Sequence, residues 1–217
     1  MSTELGRIEK PEAEPIKGER KIYLAPLVPV IKDAPAEYTE KVERYWTGVR
    51  EHVLNLENRI GVIKHVYHEA VSEAGDEGLR LAEQFSPDSA AIAKQKVEQG
   101  AHFEALEDRD VLAEMTDWQR CLMTGLVSQN VADKVWGFYT EAVRKRNEEM
   151  AKRLDETLQP AEAGILFISE NYQLQFPSDI QVFYVSPPAL DEIHRWLRDR
   201  AAKTSPAGNE GEDVKPT

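Results

Sequence analysis

Cys121 is the only cysteine in this 217-residue chain. A lone thiol closes no internal disulfide, and a cysteine-based zinc site needs further ligands of the same kind. Its neighbours Leu122, Met123 and Leu126 make it a small buried hydrophobe. No run approaches the roughly 20 apolar residues of a membrane-spanning helix. Met1 to Lys21 is polar throughout and contains no apolar signal-peptide core. Without an export signal or a disulfide framework, the expected compartment is the cytoplasm. There is no glycine-rich phosphate loop, no G-x-S-x-G elbow and no Cys–His pair in a family context. Positive charge is also scarce: 27 Lys and Arg face 39 Asp and Glu, a net charge of -12. Such a surface repels phosphate backbones and anionic lipid, so neither nucleic acid nor membrane is an expected partner.

What remains is 41% hydrophobic and 30% charged, enough for a core under a solvated surface. Residues 1–19 and 204–217 are rich in charge, Pro and Gly and read as disordered tails. Residues 20–203 then form a single domain. Ile22 to Ile31 is a β-rich apolar run. Pro26 and Pro29 remove ladder donors, which predicts an edge strand or one that leaves its sheet early. Val49, Val53, Leu56, Ile60, Ile63, Tyr67, Ala70 and Ala74 alternate steps of four and three. With Tyr38, Val42 and Tyr45 they predict one helix over 36–74, stopped by Gly75. A short helix follows with Leu79, Leu81 and Phe85. The next is capped by Ser86 or Asp88 and reaches Gln99. Phe103, Glu107, Val111, Met115, Trp118 and Leu122 mark another helix. Val131, Val135, Phe138, Ala142, Arg146, Met150, Leu154 and Leu158 mark a long one ended by Pro160. Gly164 to Ile168 is a strand buried on both faces, and Ile180 to Val185 is a second strand. Leu190, Ile193, Trp196 and Leu197 face inward from a closing helix. The expected fold is an α-rich α/β or α+β domain. Its small sheet comes from the N-terminal strand and the two C-terminal strands, packed with several long helices.

On the predicted helix, His65 and His68 share a face and Glu69 follows. Two imidazoles and a carboxylate are a partial metal set, but the spacing is not the i, i+4 zincin pattern. Two ordinary surface histidines are the preferred reading, and no metal or cofactor is assigned. Glu107 and Arg146 are more unusual, because each is a charge on the core-facing row of its predicted helix. A buried charge needs a partner, since lost hydration costs several kcal/mol. The two either pair, project together into a polar cleft, or snorkel to the edge of the stripe.

Four segments, scattered over 22–186, resemble the TraB/TIKI/erythromycin-esterase-like group. I-Y-L-A-P-L-V-P-V-I is similar to that group's opening strand. G-A-H-F-E-A-L-E, ending at Glu107, is similar to its Glu-bearing segment. R-N-E-E-M-A, residues 146–151, resembles its R-N-x-x-M-A helix start, and G-I-L-F-I the strand that precedes a key histidine. The resemblance implies an α/β core with an acidic, histidine-bearing pocket, tied to hydrolysis or metal binding. Two departures stand out. Lys32 and Asp33 occupy the end of the first strand, where the group carries a histidine, and Tyr172 occupies the later histidine position. A degenerate member is implied, retaining Glu107, Arg146, Asn147 and Glu69. Glu107 and Arg146 are the catalytic candidates. Asn147, Tyr172, Tyr67 and Glu69 are the ligand-binding candidates. Three functions stay open: a non-enzymatic binder of a ligand or partner; a hydrolase with Glu107 as general base and Arg146 orienting an anionic group; and a helical adaptor that homodimerises through the 49–74 seam.

Overall fold

The computed structural model describes residues 19–204, with side chains as far as Ala202. The expected tails lie outside the described residues, apart from Glu19 and Thr204. The chain runs β1 (Arg20–Leu27), α1 (Ala36–Arg59), β2 (Ile63–His68), α2 (Gly75–Phe85), α3 (Pro87–Glu98) and β3 (His102–Phe103). It continues through α4 (Arg109–Met123), α5 (Gln129–Thr157), β4 (Ala163–Ser169), β5 (Ile180–Tyr184) and α6 (Ala189–Thr204). The strands form one parallel sheet in the order β3-β2-β4-β1-β5. The fold is an α-rich α/β domain.

Two strands were not foreseen. The helix expected over 36–74 ends at Arg59, and Ile63–His68 is a strand. The apolar spacing misled because β2 is buried on both faces. Its apolar residues Ile63 and Tyr67 stand four apart, a helical step, and His65 and His68 are buried with them, so no apolar/polar alternation marks the strand. Gly75, read as a helix stop, opens α2 in the left-handed region at φ +60. Phe103 likewise belongs to β3, and α4 begins only at Arg109. Asp108 caps α4, its carboxylate accepting from the N–H of Asp110 at 3.0 Å and of Val111 at 3.1 Å.

β1 lies inside the sheet, between β4 and β5, rather than at an edge. It tolerates Pro26 for a local reason. The Leu24 carbonyl accepts from Val185 on the β5 side, and in a parallel strand Pro26 faces the same way. The paired part of β5 ends opposite Leu24, so the missing N–H breaks no ladder bond.

The connections explain the two cores. β1-to-β2 and β2-to-β3 run toward the β3 edge, and their helices α1, α2 and α3 cover one face. β3-to-β4 and β4-to-β5 run the other way and cover the opposite face, as a single crossover hand requires. The first face packs Tyr23, Val66, Ile165 and Phe167 against α1, α2, α3 and α6. The second packs Ile22, Leu24, Tyr67, Leu166 and Ile168 against Met150 and Leu154 of α5, Leu158 just beyond its end, and Leu174 of the 170–179 strap. Arg20 pins strap and helix together, pairing with Asp179 at 2.6 Å and Asp155 at 2.7 Å.

Candidate functional site

The connections after β2 and β4 leave on opposite faces although the strands are neighbours. Their backbones part there and open a crevice at the carboxyl ends of the strands. Glu69, the residue after β2, points into it. One Glu69 oxygen accepts from the Ser169 N–H at 2.6 Å and the other from the Ser169 hydroxyl at 3.2 Å. Arg146 reaches over from α5 and donates from Nη2 to Glu69 at 3.1 Å.

Arg146 also holds Glu107. Its Nε lies 3.0 and 2.9 Å from the two Glu107 oxygens, and Nη2 pairs closely with Oε1. The Ala70 N–H donates to the same carboxylate at 3.1 Å. Ala70 is presented in that direction by a left-handed backbone, φ 65, which costs a non-glycine residue about 1 kcal/mol. The Glu107 side chain is fully buried, at 0% exposure. Burial pulls the Arg146 pKa down, but the hydrogen bonds and charge of Glu107, then those of Glu69, outweigh it and hold the guanidinium above its ordinary value.

Of the three alternatives for Glu107 and Arg146, pairing is the one present, and Glu107 sits in the loop before α4 rather than on a helix. Its N–H is anchored on the Val71 carbonyl at 3.1 Å. The cluster carries two carboxylates and one guanidinium. Because Arg146 and the Ala70 N–H engage the Glu107 carboxylate below the surface, it is poorly placed to take a proton from water.

Above this floor lies an open cleft of about 1320 Å³. Trp136 and Tyr139 of α5 form one wall, and Asn171, Tyr172 and Gln175 of the strap the other. Glu69, Arg146 and Asn147 line its base. Burial and a hydrogen bond with Tyr184 push the Tyr172 phenol up to about 12, so it is a neutral donor at ordinary pH. Five of the six candidates thus meet at the cleft or directly beneath it. Tyr67 does not. It is completely buried under α5, with its hydroxyl 2.7 Å from the Thr157 hydroxyl.

The two histidines also separate. Three residues apart on a strand, they point to opposite faces. His65 lies between Glu104 and Glu162, each 2.9 Å from a ring nitrogen. His68 is fully buried against the Glu69 carbonyl and the Ser89 hydroxyl, and desolvation lowers its pKa and favours the neutral ring. Among the described residues no cluster of three or more His, Cys, Asp or Glu is placed to hold a metal ion. The reading of the sequence missed Ser169 and the Ala70 N–H. A serine directly after a buried apolar run was visible, but a left-handed alanine has no sequence signal.

Comparison with protein-family models, curated proteins and solved structures gives no match.

Proposed function

We propose that this chain is a non-enzymatic binding protein whose cleft receives a small uncharged ligand. The observation that carries the reading is the enclosure of Glu107. Its carboxylate is fully buried and held by Arg146 and Ala70, so it serves to fix α5 to the strand ends rather than to activate water. Arg146 is likewise paired with two carboxylates, whose charge offsets its own and weakens its pull on an anion. The charged residues of the lining, Glu69, Arg144, Arg146 and Glu148, are each held in ion pairs, and beside them stand uncharged amides, phenols and an indole: Asn147, Asn171, Gln175, Tyr139, Tyr172 and Trp136. Amides both donate and accept, and rings cover flat apolar faces. A carbohydrate, with dense hydroxyls on apolar ring faces, is the chemical class that matches. The kinship with the TraB/TIKI group belongs to the same proposal. Its support is that the segments bearing Glu107 and Arg146 converge at one crevice.

The test is thermal unfolding and calorimetry against a panel of neutral oligosaccharides and a panel of small carboxylate anions, with ester hydrolysis followed in parallel. Binding of a neutral sugar that raises Tm and is lost in Trp136→Ala supports the reading. Binding confined to anions, or hydrolysis abolished by Glu107→Gln in a folded protein, overturns it.

A further inference from the structure

Neither of the two cores includes any residue between Leu106 and Met150. Helix α4 and the first half of α5 form a hairpin that packs on itself. Each helix carries an apolar seam with coiled-coil spacing: Val111, Met115, Trp118 and Leu122 on α4, and Val131, Val135, Phe138 and Ala142 on α5. Both follow steps of four, three and four. Two helices cannot close such a seam. Val111, Val135 and Ala142 are buried, yet Val131 remains 45% exposed and Phe138 52%, with Trp118 stacked on Phe138 at 4.8 Å. Trp118, Val131 and Phe138 do not line the ligand cleft, whereas Trp136 and Tyr139 do. Met115 of the seam also lines the cleft, so the seam borders it, while the exposed Val131 and Phe138 lie outside the cleft lining. At the hairpin's end, Met123 and Val127 are also exposed.

The geometry points to self-association through this hairpin: two copies of the chain pack Trp118, Val131 and Phe138 against each other and complete a four-helix bundle. Matched seams on an antiparallel helix pair are half of such a bundle, and an identical hairpin supplies the other half with the same spacing. Charge selects the same region. The chain as a whole is at -12, so two copies repel across most of their surfaces. Residues 109–148 carry six acidic and six basic side chains, so this segment has no net charge to oppose a second copy. The contact differs from the expected 49–74 seam, whose Val49 and Val53 are already spent against the sheet. It also leaves the cleft open and does not depend on what the cleft binds.

Sedimentation velocity of the full chain from low to high micromolar concentration tests this. A monomer–dimer equilibrium is expected. Phe138→Glu and, independently, Val131→Glu should each weaken it at least about a hundredfold, because a carboxylate must then be desolvated at the apolar contact. Both positions are half exposed in one chain, so circular dichroism should be unchanged. If Phe138→Glu fails to fold, Val131→Glu decides. Leu54→Glu, on the exposed side of α1, should dimerise as the wild type does. A wild type that stays monomeric throughout overturns the proposal. So does a dimer that survives the seam variants, or one broken by Leu54→Glu.

Discussion

Trp46 and Trp136 mark the contrast between the two parts of the molecule. Trp46, on α1, is 1% exposed and packs against Phe167 of β4 in the larger core. Trp136, on α5, is 57% exposed and lines an open cleft. The sheet and its helices bury apolar surface on two faces, as a doubly wound parallel sheet must. The hairpin encloses little more than its own seam. The body supplies most of the stability, while the hairpin presents apolar surface for contacts that one chain leaves unmade. Arg146 is the joint between them, because it sits on the hairpin's longer helix and holds two carboxylates from the strand ends.

The largest effect that separates the two regions should come from truncating the body. Phe167→Ala is expected to cost about 3–5 kcal/mol in urea unfolding, whereas Val131→Ala on the hairpin should cost under about 0.5 kcal/mol below the dimerisation range. Comparable losses would mean that the hairpin is part of the core. Next comes the joint. Arg146→Ala leaves Glu107 buried without its counter-charge and should cost about 3 kcal/mol or more, with Arg146→Lys losing less. Hydrogen exchange of Arg146→Ala should then show the 109–145 amides opening far more often than those of β1 and β4.

A smaller effect should appear with pH. His68 is held neutral by burial, so its folded-state pKa is lowered. The unfolded chain binds a proton at this ring near pH 6.5, where the folded chain does not. Stability is therefore unaffected above that range and falls as pH drops below it, by up to about 1.4 kcal/mol per unit, until the lowered folded pKa is reached. His68→Asn should flatten that part of the Tm-against-pH curve. An unchanged slope would place the acid sensitivity elsewhere. The smallest effect on stability is expected for Trp136→Ala, within about 0.5 kcal/mol, with ligand binding lost.

Legibility in the sequence follows the same division. Helices α5 and α6 were read close to their observed bounds because each combines a helical periodicity with proline punctuation, and β4 and β5 because each is a short apolar run bounded by proline-bearing turns. β2 and β3 were not. Burial on both faces erases the alternation that identifies a strand, and β3 is only two residues long. The Glu107–Arg146 pair was legible although Glu107 was placed on the wrong element, since a charge among core residues demands a partner whatever the backbone does. Tyr67 was misassigned with β2: on that strand it is a core residue of the sheet face that α5 covers, with its hydroxyl on Thr157 rather than in the cleft. The amide-rich strap wall beyond Tyr172 was out of reach, because it depends on how residues 170–179 cross the sheet.

The most direct measurement is a double-mutant cycle on Glu107→Gln and Arg146→Met, read by denaturant unfolding. An inward-facing strut predicts a coupling of about 2–3 kcal/mol, with the pair of substitutions far less damaging than the two single losses combined. Additivity to within about 0.5 kcal/mol would mean that the two side chains do not depend on each other, and that the hairpin is held to the sheet by something else.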